Sequence, residues 1–259
     1  MFSSNPFALL TEFLSPGVMQ VYVVLMILAV AFGTVLDLYH KRSAKFFALR
    51  RKQSNVAAQR RLGAREIASL AMRTVAAEVA TSGEFCKWKR RVSHLLMSYG
   101  FVIYLITTIA MVFAYPTATH TPLILTALWN IGALMILIGG CWFFFILKVN
   151  VAYEGHSPFH LMRADLFIGS LLASAAFGLM WHFAQTVDNG AAATWVLFGL
   201  YIFFATLLFV SVPWSKFAHM FYKPMAAFQK RLEQANGSSD LPRPADSSNI
   251  GGDPYANLH

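Results

Sequence analysis

The chain has 259 residues, a mean hydropathy of +0.52, and 57% apolar against 13% charged residues, a balance that excludes an ordinary soluble domain. Its net charge of +9 then belongs to the flanks of membrane segments and not to a nucleic-acid surface. The two cysteines, Cys86 and Cys141, show no CxxC, CxxCH or ferredoxin-like spacing, which excludes an iron–sulfur cluster or a covalently attached haem on this chain.

Residues 1–17 carry no Lys or Arg, so no secretory signal peptide is expected and the first apolar run should remain in place. That run, Val18–Leu38, is the first of five; the others are Leu95–Tyr115, Leu123–Leu147, Leu166–Val187 and Trp195–Val212. Each approaches or exceeds the ~20 residues that a ~30 Å hydrocarbon layer requires. None holds an internal charge, and Asp37, Lys148 and Asp165 all stand at edges. The 21 Lys and Arg fall in the 39–93 connection, around residues 148–163, or after residue 213. Residues 1–17, 116–122 and 188–194 have none, so the positive-inside rule predicts an external N-terminus and a cytoplasmic C-terminus.

The 39–93 connection carries 14 Lys or Arg against three Glu. Its middle places Leu62, Ile67, Leu70, Ala71, Thr74 and Val75 near one helical face, with Arg61 and Arg65 off it. This predicts an interfacial helix held by anionic membrane lipid headgroups, a docking surface for a soluble partner, or both. In the fourth span Gly169, Ser170, Ala173, Ser174 and Gly178 form a small-residue pattern that permits close helix approach or space for a flat cofactor. Beyond about residue 233 the Gly, Ser, Pro and Asp content predicts a tail disordered in isolation.

Of eight histidines, His94 opens the second span just after "KWKRRVS", and His219 follows the fifth in "VPWSKFAHMF". Both belong to the cytoplasmic edge, as does the loop with His156 and His160; His120 and His182 belong to the outer side. Two imidazoles at matching depth on different helices can hold the iron of a haem b, with the propionates reaching basic residues such as Arg90, Arg91 and Lys216. The plain alternative is a pair of ordinary interfacial histidines.

"PWSKFAHMF" resembles the closing motif of the gamma, cytochrome b subunit of respiratory nitrate reductase and its relatives. "RRVSHLLMSYGF", "LIGGCWFFFILK" and "RADLFIGSLLASAAFGL" resemble the second, third and fourth helices of that family. The resemblance implies that His94 and His219 are the axial ligands of a haem b near the cytoplasmic side. Where the nitrate reductase subunits carry a second histidine pair for a distal haem, this chain has Tyr104 and Tyr201, so one haem is expected. His182 and His120 stay open as an alternative outer site. A short single chain with no iron–sulfur ligands and a long basic loop is most similar to the membrane anchors of dissimilatory adenylylsulfate (APS) reductase. That likeness implies a cytoplasmic flavin and iron–sulfur partner, the quinone pool as electron acceptor, and the inner membrane of a bacterium.

The expected product is an all-α integral membrane protein, a five-transmembrane-helix bundle in four parts. Residues 1–38 are the N-terminal segment and first span, 39–93 the basic connection, 94–222 the four-helix haem-binding region, and 223–259 a cytoplasmic tail. A quinone site is expected nearer the cytoplasmic half, where His156, His160 and Asp165 offer proton acceptors unless they are only an interfacial loop and a helix start. No bond chemistry of its own is expected of the chain. Two rivals are a haem-free tether for a soluble redox complex, and a small transporter, which the lack of charge within the spans and of an inverted repeat disfavours.

Overall fold

Backbone amides in hydrocarbon have no water to bond, so long apolar runs satisfy them internally as helices. The computed structural model describes residues 4–40, 43–76, 88–117, 121–147, 165–211 and 219–239, and among these it is all-helical, with no strand. In chain order the helices are α1 (Pro6–Leu9), α2 (Pro16–His40), α3 (Ser43–Val56), α4 (Ala64–Thr74), α5 (Trp88–Phe113), α6 (Leu123–Cys141), α7 (Asp165–Val187), α8 (Ala192–Val210) and α9 (His219–Asn236). Five of them, α2, α5, α6, α7 and α8, are long and apolar enough to cross a membrane, which makes the chain a multi-pass membrane protein. Their bounds follow the five predicted runs closely. The main difference is that α5 begins at Trp88, seven residues before the predicted start, so His94 lies more than a turn inside it.

The chain divides into two units, residues 1–31 with 85–216 and residues 32–84 with 217–259. In the first, α5 packs on α6, α6 on α7 and α7 on α8. The first half of α2 joins them through Gln20, whose amide donates to the Val112 carbonyl, and Tyr22, whose hydroxyl lies 3.0 Å from Thr206 Oγ1 on α8.

The α5–α6 contact is the tightest. A Cβ at Gly132 would lie 2.9 Å from the Tyr104 backbone nitrogen, and one at Gly139 2.8 Å from that of Met97. Gly100 faces the Gly132 carbonyl in the same way, and the Ser93 hydroxyl donates to the Gly139 carbonyl at 2.7 Å. Lipid tails are as apolar as side chains, so such backbone approach is what holds spans together. On α7, Ser170, Ser174 and Gly178 lie on the buried face, while Gly169 is exposed.

Residues 4–12 fold back into the end of this unit. Asn5 caps α1 by accepting from the amides of Phe7 and Ala8, and Pro6 supplies the fixed φ of a first helical turn. The Asn5 amide also donates to the Tyr115 carbonyl at 2.9 Å and to Thr121 Oγ1 at 3.2 Å. From α7, Gln185 donates to the Pro6 carbonyl, and the neighbouring Asn189 donates to that of Leu9. Phe7, Ala8 and Leu10 are buried as a result.

In the second unit, α9 packs on both α3 and α4. Of the predicted amphipathic face, Ile67, Leu70 and Ala71 are half-buried and Thr74 fully buried, whereas Leu62 precedes α4 and Val75 is exposed. Helix α9 occupies the first part of the segment predicted as a tail, and its buried face is mostly polar: Gln229, Leu232, Glu233 and Asn236. Arg50 of α3 clamps Glu233 with two bonds, at 2.7 and 2.9 Å, and Gln229 donates to the same carboxylate. Gly237, with φ of 78°, ends α9, and the Ser238 amide returns to the Glu233 carbonyl. A side chain at Gly237 would also strike Gln59. Ser54, Asn236 and Ser238 close the end with a buried hydroxyl–amide network. Residues from 240 onward lie outside the described residues.

Candidate functional site

Position 94 of α5 is one residue on from Ser93, so it turns about 100° away from the face that meets α6. His94 is half-buried, and its Nδ1 lies 3.5 Å from Ser98 Oγ, one turn along the same face. Two turns along, Phe101 meets Phe209 in the last turn of α8, with ring centroids 6.5 Å apart. The His94 side of α5 is therefore the side that turns to the end of α8. Lys89, Arg90 and Arg91 stand in the turn before it, exposed.

These features suit a haem ligand: a partly buried imidazole on a rigid helix, a hydroxyl beside one ring nitrogen to orient it, and cations nearby for propionates. The other predicted ligand, His219, is the first residue of α9 and falls in the second unit, and its side chain lies outside the described residues. Pro213, Ser215 and Lys216 of the closing motif lie outside them too, as do His120, His156 and His160. Among the described residues, no three His, Cys, Asp or Glu side chains gather as a metal-binding group.

Farther along α5 and α8, Tyr104 and Tyr201 are buried, and both lie against Gly178 of α7. Tyr104 stacks on Trp129 of α6 at 4.9 Å and 27°, and Tyr201 on Trp181 of α7 at 5.6 Å and 11°. Phe7, from the folded-back N-terminal segment, meets Trp129, Trp181 and Tyr201 with centroids 5.5–6.4 Å away. Gly178 makes room for the Tyr104 hydroxyl, which a Cβ there would approach to 2.6 Å. At this level of the bundle, side-chain rings fill the interior.

His182 belongs to the same packed region. It is fully buried, its Nδ1 lies 3.1 Å from Asn130 Oδ1, and its ring stands edge-on to Trp129. Because the Asn130 amide nitrogen donates to the Thr126 carbonyl, Oδ1 is left to accept, so His182 carries its proton on Nδ1. This is a core histidine with a hydrogen-bonded partner, in a setting that leaves little space for a flat cofactor.

The polar groups of the second unit were not singled out from the sequence. Burial alone would push the Glu233 carboxyl up, but the Arg50 guanidinium and the Gln229 amide outweigh it and hold the group below the usual carboxylate range. Glu66, at the start of α4, is held low by the Gly63 amide and by Arg60, with which it pairs. Both described glutamates of this unit are thus committed to an arginine.

Compared with known protein families, with curated proteins and with solved structures, the chain matches none.

Proposed function

We propose that the chain is the membrane-anchoring cytochrome b subunit of a bacterial redox complex. In this reading it passes electrons from a cytoplasmic flavin and iron–sulfur enzyme, of the adenylylsulfate reductase type, to the quinone pool. The N-terminus lies outside the inner membrane and the basic second unit in the cytoplasm, as the distribution of Lys and Arg implies.

The observation that carries the reading is the Phe101–Phe209 contact. His94 is seven residues from Phe101 along α5, and His219 is ten residues past Phe209 in the chain. Counted along the chain, the two candidate ligands thus fall at similar distances from one helix–helix contact. His94 and His219 would hold the iron through neutral imidazole nitrogens. Arg90, Arg91 and Lys216 would meet the propionates. A haem held there supplies one-electron exchange, and the protein's part is to position it and keep it dry. With Tyr104, Trp129, Trp181 and Tyr201 filling the interior farther along, quinone is expected nearer the cytoplasmic half.

The purified chain should show a reduced-minus-oxidised difference spectrum of haem b that is lost in His94→Ala and in His219→Ala. A full-strength signal in both variants sinks the ligand assignment. A chain that folds with no haem leaves the second reading, a tether.

A further inference from the structure

We infer that the α3–α4–α9 unit is a docking surface for a soluble protein with an acidic face, and not a helix laid into the membrane. This rests on the proposed function for the partner's identity, and on the second unit's own packing for the surface.

An interfacial helix binds by sinking its apolar face into the headgroup boundary. In α4 that face is partly taken up: Thr74 is buried and Ile67, Leu70 and Ala71 are half-buried, with Val75 at its end exposed, and α4 packs on α9. What α4 shows outward is Arg65, Met72 and Arg73, with Arg61 just before its first turn; Met72 is 75% exposed. An arginine-and-methionine face is characteristic of protein interfaces, where both residue types are enriched.

In α3, α4 and α9 the only two acidic residues are neutralised, Glu233 by Arg50 and Glu66 by Arg60. Lys45, Lys52, Arg61, Arg65, Arg73 and Lys230 are exposed, with no ion pair among the described residues. A rigid positive surface of this kind steers an acidic protein into contact and selects against basic ones.

The test uses the full-length chain in nanodiscs of zwitterionic phosphatidylcholine, with purified adenylylsulfate reductase as the soluble probe. Wild type should bind it, and the triple variant R61E/R65E/R73E should bind at least about tenfold more weakly. Raising salt to about 0.3 M should weaken wild-type binding in the same direction. The milder R61Q/R65Q/R73Q set should fall between, which separates lost attraction from misfolding. Absence of binding by wild type, or equal binding by all three proteins, overturns the inference. So does amide-exchange protection of α4 that appears on adding phosphatidylglycerol to the discs and not on adding reductase, since that outcome assigns the face to anionic lipid. The haem spectrum of the same samples keeps the two readings apart. A haem-loaded chain that ignores the reductase defeats the docking surface and the reductase as partner but leaves the haem site standing, and a haem-free chain that binds it defeats only the electron relay.

Discussion

At the scale of single residues, three histidine positions have three different fates. His182 was open as an outer ligand because its depth fitted, yet its Asn130 hydrogen bond and Trp129 contact make it part of the core. Replacing it with Ala strands the Asn130 carbonyl and should cost about 2 kcal/mol, read as a lower melting temperature, with any haem b signal unchanged. A weakened haem signal at normal stability would contradict that. His94 has the basic flank read from its neighbours, and the structure adds that it is half-buried. His219 could be placed only by its motif. Ligation is a meeting of side chains across the fold, and a linear pattern carries that information only through family likeness.

Among helices, the spans were legible because hydrocarbon imposes a length and forbids charge, and both leave a trace in any single sequence. The α5–α6 seam was missed, although it had a signal. Ser93 and Gly100 are seven residues apart, as are Gly132 and Gly139, and seven residues is nearly two turns. Small residues at four-residue spacing point to α7 instead. Gly139→Ala would put a methyl 2.8 Å from the backbone of Met97, where no side-chain movement relieves it. The expected loss is about 1–3 kcal/mol, seen as earlier thermal unfolding in detergent; an unchanged melt would show that the two helices tolerate separation.

Helix α9 escaped for the opposite reason. Its packed face is Gln229, Leu232, Glu233 and Asn236, so hydrophobic periodicity has almost nothing to detect. The Arg50–Glu233 clamp carries that face. Arg50→Ala leaves a buried carboxylate uncompensated and should cost about 3 kcal/mol, whereas an Arg50→Met, Glu233→Leu pair should recover much of it. The carboxyl's pKa is lowered in the folded state. Its contribution is therefore fully present above the unfolded value of about 4.3 and is lost as pH falls through the lower folded value. Amide protection in α9 should hold down to about pH 4 and fall below it in wild type, and less in the apolar pair. Equal acid sensitivity in both would assign the effect to other groups.

For the molecule as a whole, composition and the distribution of cations determine what can be expected of its placement. Cys86 lies in the basic connection and Cys141 in α6. In a Cys141→Ser background, a membrane-impermeant maleimide should label Cys86 in inverted vesicles and not in intact spheroplasts. The reverse pattern would turn the molecule over and remove the cytoplasmic partner with it. The architecture of helices was legible because membrane physics is harsh. The folded basic unit was half legible, as an amphipathic stretch whose covering helix could not be foreseen.

The N-terminal segment imposes an order on manufacture. Asn5 is held by groups near residues 115 and 121, and Pro6 and Leu9 by side chains near 185 and 189. Residues 5–9 therefore have no complete seat until synthesis has passed residue 189. A bulky addition beside this segment burdens the last joint to close.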